Sequence, residues 1–178
     1  MSGHPESLPA PIVCVVGTRP NTMKVAPILR AFAAHRPSLR TLLVHTGQHY
    51  DAAMKERLFA DLALPAPDVD LAVGAGSHAV QTAEIMCRFD ATLDEHHARA
   101  VLVVGDVNST LACALVAAKR RIPVIHVEAG LRSHDRSMPE EINRALTDRL
   151  ADVLYTSERG AADNLRREGI DPERIEFV

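Results

Sequence analysis

A doubly wound α/β fold, with a mainly parallel sheet covered by helices on both faces, is what this 178-residue sequence predicts. Three observations carry the prediction. Short apolar, β-branched runs alternate with helical segments along the whole chain, the pattern of right-handed strand–helix–strand crossovers. The central runs are continuously apolar, as strands buried on both faces must be. Two of them end abruptly at carboxylates, where the chain turns into the next segment, so polar chemistry gathers at one end of the sheet.

Each element has its own reason. Residues 12–16, IVCVV, form the first strand, and GTRP at 17–20 a turn before a helix over 21–35, with Met23, Pro27, Ile28, Ala31 and Phe32 as its apolar positions. A second strand at 39–44 runs into HTGQHY, and a second helix covers 51–62. Residues 65–76 are loop-like with a short strand at 69–73, and a longer helix follows over 78–97. The strand at 101–104 turns at Gly105, after which Asn108, Ser109 and Thr110 open an Ala- and Leu-rich helix reaching Lys119. Pro123 starts the strand at 124–127; a turn-rich segment at 131–138 precedes a helix opened by Pro139. A strand at 153–156, a helix at 158–168 and the beginning of a strand at 174–178 complete the pattern. The Pro- and Ser-rich leader, 1–11, is expected to fray, and 12–178 reads as one domain.

Composition narrows the function classes. A chain that is 47% hydrophobic and 178 residues long supports one sizeable core. The net charge is -3, basic residues are scattered and aromatics are few, which argues against a nucleic-acid partner. No apolar run approaches a membrane span and the start lacks a signal peptide's order, so the expectation is a cytoplasmic protein with no membrane partner. Cys14, Cys87 and Cys113 lie far apart in apolar settings and read as buried free thiols. Histidines and acids never assume metal-ligand spacing, so no metal and no cofactor are expected.

The chemistry concentrates in 101–144. In an open parallel sheet, ligands bind outside the carboxyl ends of the strands, so Asp106 and Glu128 should face one crevice. The helix opened by Pro139 adds Glu140 and Glu141, with Asn143 and Arg144 a turn on. Each acid alone has an ordinary reading as a solvated strand end or a helix-dipole partner, and Glu141 as a helix-surface residue. The first turn lacks the glycine fingerprints of dinucleotide and P-loop sites but supplies Arg19 and Lys24, a guanidinium and an ammonium suited to phosphate. Gln48 and His49 follow the second strand and either line the cleft or serve the fold, and His126, inside a strand, reads as a core residue.

Together GTRPNTMKVAPI, TGQHYD, VGDVNSTLA, HVEAGLRS and MPEEINR, in this order and spacing, resemble the non-hydrolysing UDP-N-acetylglucosamine 2-epimerases over 12–178. The resemblance implies a Rossmann-like amino-terminal domain, one half of a GT-B-type pair. The family's second domain, which supplies most uridine and diphosphate contacts, lies outside this chain. It implies interconversion of UDP-GlcNAc and UDP-ManNAc by elimination and re-addition of UDP, with Asp106, Glu128 and Glu140 catalytic. Arg19, Lys24, Gln48, His49, Arg132, Asn143 and Arg144 correspond to substrate-binding positions, with His49 also near an effector site in bacterial members. A homodimer of the full-length form is implied as well. A hydrolysing relative and a non-catalytic nucleotide-sugar-binding half-domain stand as alternatives.

Overall fold

The computed structural model describes residues 9–47 and 52–178, and among them the predicted alternation holds throughout. The order is β1 (Ile12–Val16), α1 (Arg19–His35), β2 (Thr41–His45), α2 (Ala52–Asp61), β3 (Val69–Asp70), α3 (His78–Glu95), β4 (Ala100–Val104), α4 (Asn108–Lys119), β5 (Val124–Val127), α5 (Pro139–Leu150), β6 (Val153–Thr156), α6 (Arg159–Arg167) and β7 (Ile175–Phe177). Every strand pairing is parallel, in the spatial order β3-β2-β1-β4-β5-β6-β7. The chain winds outward from β1 to β3, then crosses to β4 and winds the other way. The carboxyl ends of β1 and β4 therefore flank the point where the winding reverses, the place in such sheets where a crevice opens.

Two apolar clusters hold the helices to the sheet, one on each face. Val13, Val15, Val101 and Val103 pack with Ile85, Phe89 and Leu93 of α3 and with Ala112, Cys113 and Val116 of α4. Ile12, Cys14, Val16, Leu102 and Val104 point the other way, against Val25 and Ala26 of α1 and Phe59 of α2. This is the period-two alternation of a strand, with both phases apolar because both faces are covered. Burial of this kind stabilises by roughly 1.5 to 3 kcal/mol for each large side chain fully removed from water.

Three expectations shift. Of the apolar positions assigned to α1, Ile28 and Phe32 pack against the second cluster, whereas Met23, Pro27 and Ala31 are exposed. Asn21, Thr22, Val25 and Ala26 are buried, and Met23 is 49% exposed. The inward polar residues are satisfied by backbone acceptors, Asn21 by the Val104 carbonyl across the fold and Thr22 by the Thr18 carbonyl one turn back. The strand expected over 69–73 is regular only at Val69–Asp70, because Ala72 takes a left-handed conformation at φ 50°. Leu71 and Val73 still donate to the carbonyls of His45 and Thr46. Cys14 and Cys113 are buried free thiols, and burial pushes the Cys14 thiol up to about 12. Cys87 is exposed, since it lies on the side of α3 opposite Ile85, Phe89 and Leu93. Among the described residues, no helix is long and apolar enough to cross a membrane.

Candidate active site at the carboxyl ends of the strands

The turn that leaves β4 lies between α1 and the end of β5. Gly105 turns away from β4 at φ 70°, a conformation glycine adopts without penalty. A Cβ placed on it would stand 3.3 Å from both Asn21 Nδ2 and Glu128 Oε2. Asn21 closes one side: its buried amide donates to the Val104 carbonyl at 2.5 Å and its oxygen accepts from the Thr18 hydroxyl. The first turn of α1 is thereby tied to the end of β4. One turn further, the Lys24 ammonium spans the crevice to pair with the Glu128 carboxylate.

Glu128 reaches that position through its backbone. It sits at φ 68° in the left-handed region, where a residue with a Cβ carries a strain on the order of 1 to 3 kcal/mol. The conformation is held from outside: Ala129 N–H donates to the Tyr155 carbonyl at 3.0 Å and Gly130 N–H to Asp148 Oδ2 at 3.1 Å.

Asp106 is placed from α5. Asn143 Nδ2 donates to the Asp106 carbonyl at 2.9 Å, and the Arg144 guanidinium pairs with its carboxylate. Asn143 also bonds Asn108 Oδ1 at 3.2 Å, and Asn108 in turn donates to Gln81 Oε1 at 2.7 Å and lies 3.0 Å from His78 Nδ1. Side chains from α3, α4 and α5 thus interlock behind the acid. Glu140, in the first turn of α5, is half-buried. None of Thr18, Val107 and Met138 caps its helix through a side chain, so α1, α4 and α5 begin without one. Such helix starts favour negative charge.

The remaining assigned residues fall into two groups. Arg19 is the first residue of α1 and exposed. Gln48 and His49 lie outside the described residues. The Arg132 side chain is 3% exposed and committed to protein carboxylates, forked onto Glu168 at 2.8 and 2.7 Å and 2.8 Å from Asp148 Oδ2. Burial opposes its charge, but the two carboxylates outweigh that and raise its pKa.

Two features escaped the sequence reading. Glu141 is buried, not a helix-surface residue: its carboxylate accepts from Ser133 N–H and hydroxyl, both at 3.0 Å, and from His134 N–H at 3.1 Å, with Arg144 at 3.3 Å. It anchors the loop 131–138 to α5. Burial resists ionisation of Glu141, yet these donors prevail and its pKa lies below the ordinary 4.5. A depressed carboxylate stabilises the fold above its unfolded pKa and loses that contribution as pH falls. The urea midpoint of Glu141→Gln should therefore sit below wild type at pH 7, with the gap narrowing as pH drops below 4.5; a gap independent of pH would contradict it. The second feature is His126, buried as expected but bonded at both ring nitrogens, to Asp148 and to the Gly105 carbonyl. Spacing along the chain carries no sign of either arrangement, because the partners come from other segments: the loop 131–138 for Glu141, and α5 and the turn after β4 for His126. Among the described residues, no three His, Cys, Asp or Glu side chains gather to hold a metal ion.

Comparison with known proteins bears on this geometry. A family model described as UDP-N-acetylglucosamine 2-epimerase matches residues 31–178. A UDP-N-acetylglucosamine 2-epimerase homolog of Methanococcus maripaludis is 45% identical over 160 residues, 90% of this chain and 44% of that protein. The UDP-2,3-diacetamido-2,3-dideoxy-D-glucuronate 2-epimerase of Pseudomonas aeruginosa is 41% identical over 167 residues, 94% of this chain and 47% of that one. A crystal structure of Methanocaldococcus jannaschii UDP-GlcNAc 2-epimerase in complex with UDP-GlcNAc and UDP superposes with a TM-score of 0.90 at 42% identity, over 94% of this chain and 46% of the other. The expected Rossmann-like fold, one half of a GT-B-type protein, is borne out. The chain spans about half the length of the curated relatives it matches.

Proposed function

Because the chain belongs to the UDP-N-acetylglucosamine 2-epimerase family, we propose that it is the amino-terminal, acid-bearing half of a non-hydrolysing epimerase that interconverts UDP-GlcNAc and UDP-ManNAc. The observation that carries this reading is the placement of Asp106 and Glu128. They leave the carboxyl ends of adjacent strands beside the β1/β4 reversal, and each is engaged by a cation, Arg144 and Lys24.

The chemistry asks for such groups. The C2 proton of a hexose nucleotide is not next to a carbonyl, so a side chain cannot remove it directly. Breaking the C1–O bond releases UDP with the bonding pair and builds positive charge at C1, which nearby carboxylates stabilise. A carboxylate then takes the C2 proton as the C1–C2 double bond of 2-acetamidoglucal forms. Re-addition of UDP to C1, with a proton delivered to the opposite face of C2, completes inversion. Two faces call for two acid–base groups, and Asp106, Glu128 and Glu140 are the candidates. Arg19, Lys24 and the open start of α1 suit the diphosphate, which a second domain closes upon. Asn143 and Arg144 serve the sugar side. Arg132 serves through the fold, holding Asp148 and Glu168. Gln48, His49 and a homodimer of the full-length form belong to the reading through the resemblance, and a cytoplasmic setting through the sequence alone.

The test is product identity. The two-domain enzyme incubated with UDP-GlcNAc should accumulate UDP-ManNAc to an equilibrium mixture, as read by proton NMR. Free ManNAc with stoichiometric UDP would assign the site to a hydrolysing relative, and unchanged substrate would leave a binding half-domain.

A further inference from the structure

We propose that His126 and Asp148 form a buried pair that positions the two catalytic carboxylates, an inference that rests on the epimerase reading. Both side chains are fully buried, so neither touches substrate. His126 Nδ1 lies 2.7 Å from Asp148 Oδ1, and Nε2 lies 2.8 Å from the Gly105 carbonyl. A carbonyl only accepts, so Nε2 carries a proton, and the contact between Nδ1 and the carboxylate holds a second one between them. The other Asp148 oxygen accepts from Gly130 N–H at 3.1 Å and from Arg132 at 2.8 Å.

The significance lies in where these four bonds end. Gly105 directly precedes Asp106, so the bond to its carbonyl fixes the peptide plane from which the Asp106 side chain departs. Glu128 stands two residues after His126 and two before Gly130, so its left-handed backbone is bracketed by bonds to the same pair. Asp148 itself rides on α5, the helix that carries Glu140, Asn143 and Arg144. One imidazole and one carboxylate thereby tie together the strand ends and the helix on which every assigned acid sits. The charged groups around the pair are Arg132 and, beyond it, Glu168. A core histidine that only filled space would have no need of acceptors at both nitrogens, and an apolar ring in its place would leave the Gly105 carbonyl and Asp148 Oδ1 without their partner in the interior.

The test uses the two-domain enzyme. His126→Phe and Asp148→Ala should each lower kcat about a hundredfold, the scale of a misplacement near 1 Å, with KM little changed. Asp148→Asn can keep every contact, its amide oxygen toward Gly130 and Arg132 and its NH2 toward Nδ1, and should recover most of that loss. Wild-type kcat in His126→Phe, or a loss in Asp148→Asn equal to that in Asp148→Ala, would overturn the proposal. Should the substituted proteins fail to fold, proton NMR of the unmodified chain decides: a far-downfield, slowly exchanging imidazole N–H is expected for His126. An imidazole exchanging at the rate of free histidine would overturn it. That resonance does not depend on turnover, so a wild-type enzyme without epimerase activity would remove the functional reading and leave the buried pair standing.

Discussion

Replacing Glu128 by Gln or Asp106 by Asn in the two-domain enzyme is expected to lower kcat by about two powers of ten or more, the scale of acid–base and electrostatic contributions. The melting temperature should stay close to wild type. Both halves of that expectation follow from position. The Asp106 and Glu128 side chains are 31% and 25% exposed, open to the crevice and outside both apolar clusters, so an isosteric amide removes charge without removing packing. Each amide would also lose its ion pair, with Lys24 or Arg144, but pairs this exposed contribute roughly 1 kcal/mol or less. Steady-state kinetics and a melting curve on the same preparations check it. Near-wild-type turnover in both variants would move the chemistry elsewhere, and a large fall in melting temperature would make the acids structural.

Gly130→Ala should be among the most destabilising single-methyl additions in the chain. Gly130 sits at φ 80°, and an added Cβ would stand 2.5 Å from the Ala161 carbonyl oxygen and 2.9 Å from its carbon. The obstruction is backbone in the first turn of α6, so no rotamer change relieves it. The left-handed conformation and the forced shift of α6 each add roughly 1 to 3 kcal/mol, a large part of the stability of an ordinary domain. At this chain length that corresponds to a fall in melting temperature on the order of 10 °C. Thermal unfolding followed by circular dichroism measures it, and a melting temperature within a degree or two of wild type would show that α6 yields freely. Because Gly130 also donates to Asp148, the same change should lower activity in the surviving folded fraction.

Much of the fold is readable from local rules. β5 and β6 fall where their apolar β-branched runs place them, β5 after Pro123, and the ends of most helices move by only one or two residues. Strand-end logic also anticipated that Asp106 and Glu128 would share one end of the sheet, because it needs only the direction of parallel strands. What stayed hidden depends on tertiary pairing. Whether Arg132 faces substrate or protein is decided by Glu168, 36 residues away at the carboxyl end of α6, and by Asp148 on α5. Glu141 read as a helix-surface residue until the fold turned it toward Ser133 and His134. Asn21 and Thr22 broke the apolar pattern of α1 because a buried polar residue is tolerated wherever a backbone acceptor waits, and a periodicity cannot show that.

The claim that the crevice acids break and remake the C2–H bond around departure of UDP is met most directly by one measurement: UDP-GlcNAc incubated with the two-domain enzyme in D2O, with C2 followed by NMR. The account predicts deuterium at C2 in every UDP-ManNAc molecule formed and its gradual appearance in the UDP-GlcNAc pool. UDP-ManNAc that keeps its original C2 hydrogen would contradict it.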